Sequence, residues 1–520
     1  MQFFLKSTEA SDPTRLVGPL EPGLDVRLRG LSARQHRILL HGALIGILAL
    51  YVLLRLWRLH AYSLWYDEVF SVLVARSSWK ELFWQVLLDR VHPPLFYALL
   101  KLWVGAFGDG LGTLRLFSVF FSTVAIVPLW SCMKRIGLFR QLSLALLLAI
   151  ACNPFLIFYS QEVRMYALLG FLSILSVDLY LKQEENGSSR SPLLALVNLS
   201  LVLVHVAGAA VVGFEFLHSM LTGGKLRSRA LQLALPAFGA LLLWFIAIRL
   251  LVPHASAVAH NVSWIPRPTV MIEWKVLTHL LGGQMAVLAL NFPIVIAPWL
   301  SHSPLKGYTR LLLSLSIATI GVVFAFSLII RPVWQERYLI ISVLPYYLLA
   351  GESIGKLPRK WSFVGAIGVV IAGMLSLEYD LTHLSDRPKF GAFSAICHDL
   401  AQPLIASDDI VAAPLSFALN SNARAVEVVK SVSLSAPGEL NFRVRDIAYS
   451  VGQRDSIDSA HSVHAREFLY AYDAASDVEL ARGVSPSDFQ ALGCRIQQLA
   501  ETRGQGHHFA LFHVSCLTAK

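Results

Sequence analysis

Charge is scarce in this sequence. Asp, Glu, Lys and Arg together make up 15% of the 520 residues, against 55% hydrophobic, and a soluble chain of this size carries more ionised surface than that. The mean hydropathy of +0.58 agrees, so an integral membrane protein is expected. Cysteine is scarce too: Cys132, Cys152, Cys397, Cys494 and Cys516 show no CxxC spacing, which argues against a thiolate metal site. The last three lie in the tail, where one disulfide could form if the tail faces an oxidising compartment. The formal charge of +10 raises nucleic acid as a partner. The basic residues are scattered through short loops with no aromatic-basic reading surface, so no nucleic-acid binding is expected.

Long apolar runs are what the sequence has in abundance. Eleven membrane spans are expected, near 38–59, 112–133, 141–159, 165–181, 192–206, 207–222, 230–252, 276–300, 311–330, 338–355 and 361–378, judged against the roughly 20 residues a helix needs to cross a bilayer. Arg27, Arg29, Arg34 and Arg37 precede the first run and no small-residue cleavage site follows it, which reads as an uncleaved anchor. The loops holding Lys134, Arg135 and Arg140, Lys182 and Arg190, Lys225, Arg227 and Arg229, Lys306 and Arg310, and Lys356, Arg359 and Lys360 then fall on the side of the N-terminal arginines. Basic short loops face the cytoplasm. This parity requires that the run 93–107 not cross; it is short, opens with Pro93-Pro94 and carries Lys101. Residues 60–111 are therefore expected to form one large outer loop with interfacial helices near 79–90 and 94–107. Beyond residue 380 the composition turns polar and alternates short β-like runs with helix-like segments, which suggests a small outer α/β domain. The expected division is thus 1–379 for the membrane domain and 380–520 for the tail.

Three polar clusters fall on the outer face: Asp67 and Glu68 with His92; Gln161, Glu162 and Arg164; and Arg331 through Arg337 and Tyr338. Taken singly, each has an ordinary explanation, an interfacial Trp and Tyr belt or a solvated acid. Together they suggest chemistry. A carboxylate can take the proton of an attacking hydroxyl, and a cation opposite it can take up charge on a departing phosphate. At a lipid boundary the natural donor is a lipid-linked phosphate.

The segments that carry these residues, "SLWYDEVFS", "HPPLFYALLKLW", "NPFLIFYSQEVRMYALL" and "ERYLIISVLPYYLLAG", resemble in order the landmarks of bacterial GT-C glycosyltransferases of family 39, related to protein O-mannosyltransferases and to the aminoarabinose transferase of lipid A. The resemblance covers about residues 38–360. It implies a polytopic helical GT-C membrane protein that moves a sugar, with inversion, from a polyprenyl monophosphate to an acceptor hydroxyl of a cell-envelope glycan, lipid or protein. It further implies residence in the bacterial inner membrane, with the N-terminus cytoplasmic and the tail periplasmic. On this model Asp67 is the catalytic base and Glu68 assists it. Glu162 fills the second acidic position, although the lipid A enzyme has an Asp-Pro pattern where this chain has Gln-Glu-Val-Arg. His92, Arg164, Arg337 and Tyr338 would bind the donor phosphate, and a divalent cation, Mg or Mn, could sit on Asp67 and Glu162. Helical spacing would put Tyr159, Glu162 and Tyr166 on one face and turn Arg164 away, which ranks Glu162 above Arg164.

Other residues invite less. His205 reads as a core histidine more readily than as a site residue. His254, His260 and Trp264 could cover the donor as a lid, and Asn261-Val262-Ser263 has the form of a glycosylation sequon. Arg55 and Arg58 would snorkel to the interface. The competing reading is a polytopic transporter or lipid flippase. A transporter gathers ionisable groups near the midplane of paired helix-broken halves; here they gather at loops, and no half repeats the other.

Overall fold

The computed structural model describes residues 33–186, 192–222, 230–252, 265, 267–301, 307–383, 390–399, 402–419, 426–436, 439–446, 460–474, 484–504 and 507–516. His254, His260, the 261–263 sequon and Trp264 lie outside these. Residues 47–520 form one compact unit, and residues 1–46 another.

Apolar runs become helices because in hydrocarbon every backbone N–H and C=O must be paired within its own segment. The first is α1 (Ala33–Leu56). The stretch up to residue 110 holds α2 (Tyr66–Arg76), α3 (Trp79–Asp89) and α4 (Leu95–Phe107). The last two stand where the sequence places interfacial helices. Next come α5 (Leu111–Val124), α6 (Ile126–Arg135), α7 (Arg140–Ala151), α8 (Pro154–Ser160) and α9 (Tyr166–Asn186). They are followed by α10 (Pro192–Val204), α11 (Gly208–Thr222), α12 (Ala230–Leu251), α13 (Val270–Leu281) and α14 (Gln284–Ser301). A short α15 (Gly307–Leu313) continues through a π-helical turn, Ser314–Ala318, into α16 (Thr319–Ile329). After a 3-10 turn at Glu336–Leu339, α17 (Ile340–Lys356) and α18 (Arg359–His383) close the helical part.

The expectation of eleven uniform spans needs correction. Among the described residues six helices are long and apolar enough to cross a membrane, or eight if each of two bent pairs is one span. The pair α7 and α8 bends by 60° at Asn153. That side chain caps α8 by accepting from Leu156 N at 3.0 Å, and its amide donates to Leu280 O and to the Tyr347 hydroxyl; Pro154 at the first helical position completes the break. The pair α13 and α14 turns by 89° at Gly282 and Gly283, whose φ values of +93° and +114° favour glycine. Helices α10 and α11, at 13 and 15 residues, are too short to be full spans. Helix α9 is long enough but ends in Asp178, Lys182, Glu184 and Glu185.

The tail adds α19 (Gly391–Asp399), β1 (Leu404–Ala406), α20 (Asp409–Ala418), β2 (Val426–Ala436), β3 (Glu439–Asp446), β4 (Ala460–Ala465), β5 (Glu467–Asp473), α21 (Pro486–Ala491), β6 (Arg495–Gly504) and β7 (His507–Ser515). The strands form one sheet in the order β4-β3-β2-β1-β5-β7-β6. Central β1 runs parallel to both β2 and β5. The side-chain period of two sends Leu469 and Ala471 of β5 into one core with Phe390, Phe393 and Phe509. It sends Phe468, Tyr470 and Tyr472 into the other, with Phe442 and Phe489. A disulfide joins Cys494 to Cys516, while Cys397 is buried and outside that bond.

This sheet packs on the stretch that begins α2. Trp65 lies against the first tail core, its ring 5.2 Å from that of His507 and 6.2 Å from that of Phe509. Ser63 accepts a hydrogen bond from Phe390 N, and Arg76 lies over the Phe417 ring. The first turn of α2 is thus held on one side by the tail.

Candidate functional site

Helix α2 begins at Trp65, and its first turn contains Tyr66, Asp67 and Glu68. Successive helical residues point about 100° apart, so the two acids meet different surroundings. Glu68 is 2% exposed and turns into the protein. One oxygen accepts from Trp65 N and the other from Val163 N, both at 2.8 Å, and Arg115 stands 3.9 Å away. With both oxygens taken by backbone donors, Glu68 is not placed to hold a metal or orient an acceptor, which corrects its expected role. It fastens the acid helix to the 161–165 loop.

Asp67 is half-buried, its side chain 26% exposed. Its Oδ2 accepts from Arg337 Nη1 at 3.0 Å, across 270 residues of sequence. Arg337 lies in the 3-10 turn at the head of α17. Arg164 supports the acid from behind: its Nη1 donates to Asp67 O at 3.2 Å, to Ser71 Oγ at 3.2 Å and to the Tyr97 hydroxyl at 3.4 Å. Burial alone would push the Asp67 carboxyl up. The guanidinium groups of Arg164 and Arg337 outweigh it and hold the carboxyl below the ordinary aspartate range. The carboxyl is therefore ionised at neutral pH.

Arg164 reaches the site because the chain is not helical where the sequence suggested a continuous face. Residues 161–165 are a turn between α8 and α9, so the spacing argument that turned Arg164 away fails. Glu162 is buried in this turn, its carbonyl accepting from Ser118 Oγ at 2.5 Å. Beside it the Tyr159 hydroxyl donates to Glu336 at 3.4 Å, and Glu336 also accepts from His279 at 2.7 Å.

His92 is brought to the site, but its nitrogens are engaged. Nε2 lies 3.3 Å from Arg164 Nη2, which can only donate, so the proton sits on Nδ1 and is given to Asp89 at 2.7 Å. A direct bond from His92 to a phosphate, as the resemblance implies, is replaced by a chain Asp89, His92, Arg164 that fixes the arginine. Tyr338 lies on the far side of Arg337, its ring 5.0 Å from that of His205.

Among the described residues no group of three or more His, Cys, Asp or Glu side chains could hold a metal ion. Asp67 is paired with Arg337 and each Glu68 oxygen accepts a backbone N–H, so the described residues do not gather these acids into one ligand set.

Two arginines were missed or misjudged from sequence. Arg115, inside the apolar run of α5, is fully buried and donates to the carbonyls of Leu59, Tyr62 and Ser63. An arginine in an apolar helix was a usable signal. Arg55 does not snorkel: it is fully buried, bonded to Ser122, Tyr51 O and Ala151 O, and Gln161 spans the carbonyls of Arg55 and Trp57. Arg58, by contrast, is exposed. Together these bonds fix the loop that leads into α2.

No family model matches the chain, and no curated protein matches it by sequence. Solved structures do. The chain is similar to ArnT from Cupriavidus metallidurans bound to undecaprenyl phosphate, with a TM-score of 0.59 and 12% identity over 92% of this chain and 98% of that one. The apo form of the same protein aligns with a TM-score of 0.57 and 12% identity over 91% and 98%. The chain has the GT-C fold of membrane glycosyltransferases, with a small sheet domain at its C-terminal end.

Proposed function

We propose that this multi-pass GT-C chain is an inverting glycosyltransferase that moves a sugar from a polyprenyl monophosphate to an acceptor hydroxyl of a cell-envelope glycan, lipid or protein. The observation that carries the reading is the 3.0 Å pair of Asp67 and Arg337, a proton acceptor and a fixed cation brought together from opposite ends of the helical body. The similar ArnT was crystallised with undecaprenyl phosphate, which supports a lipid monophosphate as donor. The Cys494–Cys516 bond suits an oxidising compartment and favours a periplasmic tail, with the N-terminus cytoplasmic in a bacterial inner membrane.

In the step envisaged, the acceptor oxygen attacks the anomeric carbon and its proton passes to Asp67. The bond from that carbon to the phosphate oxygen breaks, and its electron pair leaves with the phosphate. Arg337 takes up the growing charge, aided by the Tyr338 hydroxyl. A bound donor competes with Asp67 for Arg337, so donor binding frees the carboxylate as the acceptor arrives. Arg164 and His92 keep the acid in place, and Glu162 shapes the turn that carries Arg164. No step requires a resident metal.

The test is Asp67→Asn in purified protein supplied with a panel of polyprenyl-phosphate sugars, following release of polyprenyl phosphate. The variant should fold and bind the lipid phosphate, with turnover lowered by roughly 10²- to 10⁴-fold. Wild-type turnover in the variant would remove Asp67 from the step, and no turnover by the wild-type protein with any donor of the panel would return attention to the transporter or flippase reading.

A further inference from the structure

The turn between α10 and α11 puts one imidazole into the site that the proposed step does not use. His205 is 2% exposed. Its N–H donates to Leu201 O at 3.1 Å and its carbonyl accepts from Gly208 N at 2.9 Å. The turn is tight: a Cβ on Gly208 would stand 2.5 Å from the Leu201 carbonyl oxygen, so glycine is required there. Within it, His205 Nδ1 accepts from Ala207 N at 3.0 Å. A neutral imidazole whose Nδ1 accepts a peptide N–H carries its proton on Nε2.

That Nε2–H is buried and meets no acceptor among the described residues. A buried donor without a partner costs free energy and is uncommon unless something else fills the place. The ring is bounded by Tyr338 at 5.0 Å, His92 at 5.6 Å and Tyr166 at 6.2 Å. His92 offers no lone pair, because Arg164 already occupies its Nε2. Besides His92, the groups whose fields reach His205 are the cations Arg164 and Arg337. Two guanidinium groups near a neutral N–H donor select an anion rather than a cation or an apolar group.

We infer that His205 binds the donor phosphate, its Nε2–H donating to a non-bridging phosphate oxygen while Arg337 supplies the charge. The inference rests on the proposed function and deepens it by adding a residue to the donor site. A lipid-linked and a free monophosphate share this chemistry.

The test measures binding of a polyprenyl monophosphate to the full-length protein in nanodiscs, with inorganic phosphate as competitor. His205→Asn can still accept from Ala207 N but is too short to reach the phosphate, whereas His205→Gln reaches it. His205→Asn should weaken binding roughly 10- to 100-fold, and His205→Gln should restore it to within about threefold of wild type. Displacement by millimolar inorganic phosphate would identify the headgroup alone as the ligand, and resistance to it would identify the lipid ester; both support the inference. Unchanged affinity in His205→Asn overturns it. So does an equal loss in both variants accompanied by a lower melting temperature, which would mean a purely structural histidine. Arg337→Gln separates the two readings. If it weakens lipid binding while His205→Asn does not, only the histidine is wrong; if wild type binds no polyprenyl phosphate, the donor assignment itself fails.

Discussion

At the scale of single residues, the site turns on what surrounds two neighbouring acids. Asp67 and Glu68 look equivalent in sequence, but Glu68 places both oxygens on backbone N–H groups and Asp67 pairs its carboxylate with Arg337. The pairing has a pH consequence. A carboxyl held below its ordinary range stays ionised as pH falls through that range, so the acidic limb of kcat/KM should lie below the usual aspartate value of about 3.9. The same shift contributes stability that is present above the unfolded-state value and is lost only as pH falls through the lower folded one. In Arg337→Gln one of the two cations is gone, so the limb should move to higher pH, alongside the loss of donor affinity. A pH profile of kcat/KM for both proteins checks this; an unmoved limb would mean that Arg337 does not act on the base.

At the scale of elements, the site is assembled at helix breaks. The 161–165 turn delivers Arg164 and Glu162, the 3-10 turn before α17 delivers Arg337 and Tyr338, and the tight turn at Gly208 delivers His205. The bend at Gly282 and Gly283 belongs to the same set, because Asn153 at the other bend donates to the carbonyl of Leu280 just before it. Gly283, at φ +114°, tolerates no other residue without strain. Gly283→Ala should lower stability by about 1–3 kcal/mol, read by thermal unfolding in detergent. A variant as stable as wild type would show that the bend relaxes without consequence. Such breaks are hard to read from sequence because a hydropathy window averages over them: 276–300 is mostly apolar, and the Gly-Gly pair marks the 89° turn.

At the scale of the whole molecule, the tail and the acid helix are packed together. Trp65 precedes Tyr66 and Asp67 in the chain, yet its ring belongs to the core that Phe390 and Phe509 build in the tail. Trp65→Ala should therefore loosen the tail and the base at once. Faster proteolysis of the tail and lower turnover are expected together, with about 2 kcal/mol lost; full turnover with a protease-sensitive tail would show that the two are uncoupled. Membrane character, the helices near 79–90 and 94–107, the α/β tail and the cluster of Asp67, Glu68, His92 and Arg337 were legible in the sequence, because hydropathy, charge and local motifs act over a few residues. Which acid pairs with Arg337, that Arg164 reaches it, that Arg55 and Arg115 are buried among carbonyls, and that His205 is a donor without an acceptor among the described residues were decided only by the tertiary structure. Each depends on partners tens to hundreds of residues away, and a hydrogen bond is set by where those partners come to rest.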